Sequence, residues 1–98
     1  VSDLLVYVTI GNSDDRLTQQ KWSRFVSRTL ASIEAHASKI HGNWVSESAS
    51  PYQNACFSFD LAPAAVAPLR AALESLRDGF DQDSIAWATA ELDMVEKR

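Results

Sequence analysis

The sequence predicts an α+β chain in the order β-α-β-β-α-β, a four-stranded antiparallel sheet with two helices on one face. Three observations carry that expectation. Residues 4–10 and 54–61 alternate in polarity with the two-residue period of half-buried strands. Residues 19–37, and a stripe from Val66 to Phe80, carry apolar side chains at helical spacing. Clusters of Gly, Pro, Asn, Asp and Ser separate these segments.

The first strand, Leu4 to Ile10, is rich in β-branched and aromatic residues and runs into the turn Gly11-Asn12-Ser13-Asp14-Asp15. Leu4, Val6, Val8 and Ile10 share one face, and Leu5, Tyr7 and Thr9 take the other. Such a strand belongs in a sheet covered on one side. The cover follows directly: Thr18 can cap a helix by accepting an orphan backbone N–H. Leu17 and Trp22 stand where a hydrophobic staple would close, although Lys21 replaces the Glu or Gln of a capping box. Trp22, Phe25, Val26, Thr29, Leu30, Ile33 and Ala37 form the apolar stripe, and Arg24, Arg28, Ser32 and Glu34 lie off it.

Residues 41–47 read as a shorter, more polar strand, which Gly42 weakens and which suits a sheet edge. Ser48 to Gln53 is a loop by composition. In Asn54 to Leu61, Ala55, Phe57, Phe59 and Leu61 share a face. Pro63 and Pro68 bracket a helix entry, so regular helix is expected to begin between Ala64 and Ala67. Val66, Leu69, Leu73, Leu76 and Phe80 form its stripe, with Gly79 placed as C-terminal cap. After the turn Asp81-Gln82-Asp83, residues 84–91 read as the last strand, with Ile85, Trp87 and Thr89 opposite a row of alanines. The tail to Arg98 is polar apart from Leu92, Met94 and Val95.

This element order resembles the ferredoxin-like sandwich over residues 1–98, read as a single domain, and the resemblance implies that the first and third strands are central. That fold hosts many unrelated activities, so it implies no function by itself. With the helices over Val6, Val8, Phe57, Phe59, Ile85 and Trp87, the open face would carry Leu5, Tyr7, Thr9, Cys56, Ser58, Asp60, Ala86, Ala88 and Ala90. Those residues are mostly small. They suit either a solvated face or close approach by a partner or a second copy. A homodimer joined sheet to sheet would resemble the dimeric α+β barrels, some of which are small monooxygenases, decarboxylases or isomerases.

Composition narrows the class of partner. Thirteen acidic residues against nine basic give a net charge of −4, whereas a nucleic-acid footprint needs clustered Lys and Arg. The largest local basic group in sequence is Arg24 with Arg28. Lone Cys56 excludes an internal disulfide and a multi-cysteine zinc site, and is compatible with a reducing cytoplasm. No apolar run approaches the roughly 20 residues of a membrane helix, and no signal-peptide pattern opens the chain.

Candidate chemistry is sparse. Asp14 and Asp15, with Asp81 or Asp83, could hold a divalent cation, as small ferredoxin-like metal nucleases do near the end of their first strand. Local hydrogen bonding and the helix dipole explain the same residues without a metal. Cys56 could serve as a nucleophile with His36 or His41, but it lies mid-strand without a helix N-terminus to lower its pKa. Phe57 and Phe59 resemble RNA-stacking aromatics, yet their motif lacks the basic residue and glycine, and alternation puts them in the core.

The sequence therefore points to a small acidic module without catalysis, metal or cofactor, docking a protein partner as immunity, antitoxin or inhibitor proteins do. Asp14, Asp15, Asp81 and Asp83 would steer a basic partner, and Trp44 and Tyr52 would supply apolar contact. The alternative is a dimeric barrel enzyme or small-molecule binder with Tyr7, His41, Asn43, Trp44 and Asn54 around a pocket between sheet and helices.

Overall fold

The computed structural model describes residues 2–47 and 49–97; Ser48 of the expected loop and Arg98 of the tail lie outside the described residues. The chain forms β1 (Leu4–Gly11), α1 (Gln19–His36), β2 (Lys39–Val45), β3 (Asn54–Leu61), α2 (Val66–Gly79) and β4 (Ala86–Ala90). The sheet runs β2-β3-β1-β4, every neighbouring pair antiparallel. This is the ferredoxin-like arrangement. The two central strands are the two most apolar, because they alone are flanked on both sides while lying over the core.

Register explains the core. Val6 opposes Phe59, Val8 opposes Phe57 and Ile10 opposes Ala55, and all six are buried beneath the helices. From above, α1 contributes Trp22, Phe25, Thr29 and Ile33, and α2 contributes Leu69 and Leu73. Phe25 stacks on Phe80 at 4.9 Å and meets Trp22 edge-on at 6.1 Å. Burying each such aromatic stabilises the fold by roughly 1.5–3 kcal/mol. Helix α1 starts as the sequence predicts: the Lys21 N–H donates to Thr18 Oγ1 at 3.2 Å, and Leu17 and Trp22 are both buried.

Three boundaries differ from expectation. Strand β2 begins at Lys39 and ends at Val45, because Lys39 and Ile40 already pair with Asp60 and Phe59. It then bulges: Ile40 opposes Phe59 and Gly42 opposes Ser58, so His41 is the extra residue. A one-residue slip reverses the faces of everything beyond it. Ile40 points toward the helices, whereas Trp44, opposite Cys56, lies on the open face. Strand β4 starts only at Ala86, since Gln82 and Asp83 are held off the ladder by Ser13 and Arg16.

The third correction concerns Gly79, expected to cap α2. It is the last helical residue, and no glycine has positive φ among the described residues. The left-handed position is Asp81, at φ 52°, because aspartate tolerates that conformation better than most side chains. The Asp81 N–H donates to Asp78 O at 3.2 Å and the Gln82 N–H to Arg77 O at 2.9 Å, the paired bonds of a Schellman ending. Beyond β4, residues 91–97 have no regular structure, and Leu92, Met94 and Val95 are exposed.

Candidate functional site

Antiparallel pairing puts the exits of β1 and β2 and the entries of β3 and β4 at one end of the sheet. The connections around residues 12–18, 46–53 and 80–85 therefore lie side by side there. Asp14, Asp15, Tyr52, Asp81 and Asp83 sit on them, and Trp44 stands at the adjoining end of β2.

Two buried glutamines and one asparagine hold these loops together. Asn12 Oδ1 accepts from the Leu17 N–H at 2.9 Å, and Asn12 Nδ2 donates to Leu17 O at 3.0 Å and to Gln53 Oε1 at 2.9 Å. Gln53 Nε2 donates to Gln19 Oε1 at 2.7 Å. On the other side, Gln82 Oε1 accepts from the Ser13 N–H at 2.8 Å while its Nε2 donates to Phe80 O at 2.9 Å. Both ends of each buried amide are thus satisfied, which is the condition for burying one cheaply. Asp14 and Asp15 take left-handed backbone, at φ 53° and 54°.

Arg16 changes the reading of the acidic turn. Its guanidinium donates to Asp83 Oδ1 and Asp81 O, both at 2.9 Å, and to Asp14 Oδ2 at 3.2 Å. The hydrogen bond that Arg16 donates to Asp83 leads in raising the Arg16 pKa above its ordinary value. Two of the carboxylates expected to act on a partner or cation are therefore already paired. Among the described residues, no three His, Cys, Asp or Glu side chains converge to hold a metal ion. Because the pairs are exposed, they fix geometry more than they stabilise.

The open face forms rows across the sheet: Trp44, Cys56, Thr9 and Ala86; then Gly42, Ser58, Tyr7 and Ala88; then Lys39, Asp60, Leu5 and Ala90. Beside the bulge, His41 Nε2–H donates to Asp60 Oδ1 at 2.8 Å. This pair borders a recess of about 570 Å³ lined also by Tyr7, Ser58, Leu5 and Leu92. Between the central strands and the helices, Phe25, Phe57, Phe59, Leu61 and Leu69 fill the space, and the recesses at the margins of that layer, one beside Trp22, Val26 and Val45 and one beside Leu73, Ile85 and Trp87, are lined by none of the five residues expected there. Tyr7 and His41 meet in the recess on the opposite face. Trp44 and Asn54 lie on that face nearer the loops, and Asn43, opposite Phe57, turns to the helix side at the edge. Cys56 is half-buried in the Trp44 row, whereas His36 is engaged at the end of α1, its Nδ1–H donating to Ser32 O at 2.8 Å.

The residues that sequence reasoning missed are Arg16, Gln53, Gln82 and Asp60. No periodicity marks them. Their partners lie far along the chain, and only the fold brings those partners near.

No protein-family model and no curated protein matches the chain in sequence. Solved structures do resemble it. A de novo designed protein, Foldit4, superposes with a TM-score of 0.63 at 12% identity over 93% of this chain and 99% of its own. The hydroxynitrile lyase from Passiflora edulis gives 0.60 at 11% identity, covering 99% of this chain and 100% of its own. A DUF3240 family protein from Shewanella baltica OS155 gives 0.54 at 17% identity, covering 100% and 98% respectively. At such identities the likeness is one of fold, and its common element is the ferredoxin-like sandwich.

Proposed function

We propose that the chain is a small non-catalytic docking module that holds a basic protein partner at the loop end of its sheet, in the manner of immunity, antitoxin or inhibitor proteins. One observation carries this reading: Trp44 and Tyr52 are 58% and 81% exposed at the same end as Asp14, Asp15, Asp81 and Asp83. Tryptophan and tyrosine are the side chains that most often anchor protein interfaces, and covering one gains roughly 1.5–3 kcal/mol. The carboxylates left over after Arg16 is paired supply the steering charge. The loops are pre-organised by Asn12, Gln53 and Gln82, so little ordering cost opposes binding. We assign the module no cofactor, one domain spanning 1–98, and a reducing cytoplasm suited to its free thiol.

The test is capture from native extract with the immobilised chain, run beside Trp44→Ala and Tyr52→Ala. The reading expects a protein retained by the parent, lost from both variants, and released as salt rises. Retention by the variants, or indifference to salt, contradicts it.

The exposed Tyr7 and the uncovered row Ala86, Ala88, Ala90 favour a second reading, a homodimer joined through the open face. Its occupant is a second copy of the chain, which would bury Tyr7 and Trp44 together and enclose the His41–Asp60 recess. Sedimentation equilibrium distinguishes the two: a strict monomer removes the dimer and leaves the docking module.

A further inference from the structure

The helix layer carries a groove of its own, between the first half of α1 and the last turn of α2, with a volume of about 420 Å³. Arg16, Lys21, Arg24 and Arg28 line it, against Asp81 as the one acidic lining residue. A chain of net charge −4 with nine Lys and Arg thus gathers four of them around one recess. Sequence spacing shows only three of these on one helix face, at i, i+3 and i+7, because Arg16 precedes the helix.

Arg16 is already paired with Asp14 and Asp83, but the three charges on α1 are not neutralised. Among the described residues Lys21, Arg24 and Arg28 make no ion pair. Like charges three and four residues apart on a helix repel and cost stability, so an anion placed between them removes a standing penalty. No acidic residue occupies the first turn of α1, and the positive end of its dipole adds to the same field. Arg28 is already seated, its guanidinium 5.8 Å over the Phe80 ring, and Phe80 in turn stacks on Phe25. Stacking occupies the guanidinium face and leaves its N–H edge available to a ligand. On the facing wall Ser75 and Gly79 stand beside Leu76 and Phe80, and a Cβ built at Gly79 would meet nothing within 4 Å.

From this geometry we infer that the groove binds a small polyanion carrying at least two oxyanion groups, of diphosphate-ester or polycarboxylate chemistry. Lys21 to Arg28 spans about 10 Å along the helix axis at 1.5 Å per residue, so two oxyanion groups match the spread of charge better than one. The volume falls within the roughly 300–1,000 Å³ of small-molecule sites. Arginine forks supply paired hydrogen bonds to either oxyanion type. The site lies on the layer opposite the open sheet face and does not depend on the docking reading.

Calorimetric titration at low, chloride-matched ionic strength tests it, with pyrophosphate and citrate as separate probes. The inference expects one site per chain for at least one probe, and the preferred probe identifies the oxyanion source. Arg24→Gln and Arg28→Gln should each weaken binding about tenfold, the order of a lost charge-assisted hydrogen bond. Lys39→Gln, on β2, should leave it unchanged. Asp81→Asn should tighten it a few-fold, because the repelling carboxylate goes while asparagine still accepts left-handed backbone. Thermal melting of each variant confirms that folding is retained, since every substituted side chain is exposed. Absence of binding above the chloride blank for both probes overturns the inference. So does an equal loss in Lys39→Gln and Arg24→Gln, which would mean a diffuse response to charge.

Discussion

Gln82→Met isolates the device that holds the loop end in place. The substitution keeps an unbranched side chain of similar length in a buried position, so packing changes little. It removes two hydrogen bonds: the one accepted from the Ser13 N–H at 2.8 Å and the one donated to Phe80 O at 2.9 Å. Each bond contributes about 1 kcal/mol net, and a backbone group left unpaired in a partly buried site costs about 1 kcal/mol or more. Together they amount to about 2–3 kcal/mol, against a total stability on the order of 5–15 kcal/mol for a chain of this size. In urea the midpoint should fall while the slope holds, because the surface exposed on unfolding is unchanged. The melting temperature should drop by about 10 °C or more, at roughly 4–8 °C per kcal/mol. Partner capture should weaken as well, since Ser13 fixes the turn that carries Asp14 and Asp15. A loss below about 0.5 kcal/mol would refute the claim that Gln82 ties the two loops together.

Other expectations follow from single sites. Thr29 is fully buried, and its Oγ1 has no hydrogen-bond partner among the described residues, so Thr29→Val should stabilise by about 1 kcal/mol in chemical denaturation. Gly79→Ala should stabilise by about 0.5–1 kcal/mol, because Gly79 is helical with open space around it; destabilisation would mean that glycine, not Asp81, is the left-handed residue. Conversely, Asp81→Gly should be tolerated with little change in melting temperature, since glycine relieves the positive φ that aspartate accepts. Trp44→Ala should shift the urea midpoint by less than about 0.5 kcal/mol, the range of surface substitutions, while abolishing capture; a large loss of stability would place the indole in the core.

The sheet and helices were legible because their signal is local. Alternation in Leu4–Ile10 and Asn54–Leu61, and the stripe from Trp22 to Ala37, each record which side chains the core will accept. The cap at Thr18 is equally local and stands where expected. Less legible was anything decided across the chain. The bulge at His41 is invisible without the β3 register, yet it determines that Trp44 reaches the open face and Asn43 the helix side. Gly79 misled because glycine is the commonest left-handed cap, whereas Asp81 serves here with two backbone bonds. In the turns, aspartates read as free charge because the sequence does not reveal that Arg16 reaches Asp14 and Asp83. The six residues expected to meet a partner do share one end of the sheet, as the topology alone requires once the strand order is known. Four basic residues around one groove in an acidic protein is a feature of helix packing, and spacing shows only three of them on a common face.

The most direct test is a nuclear magnetic resonance footprint of the captured partner on isotopically labelled chain. The account expects the largest shifts at Trp44, Tyr52, Asp14, Asp15, Asp81 and Asp83, shrinking together as salt is raised, with Lys21, Arg24 and Arg28 unmoved. Shifts concentrated on the outer faces of α1 and α2, or confined to Tyr7 and the alanines of β4, would contradict it.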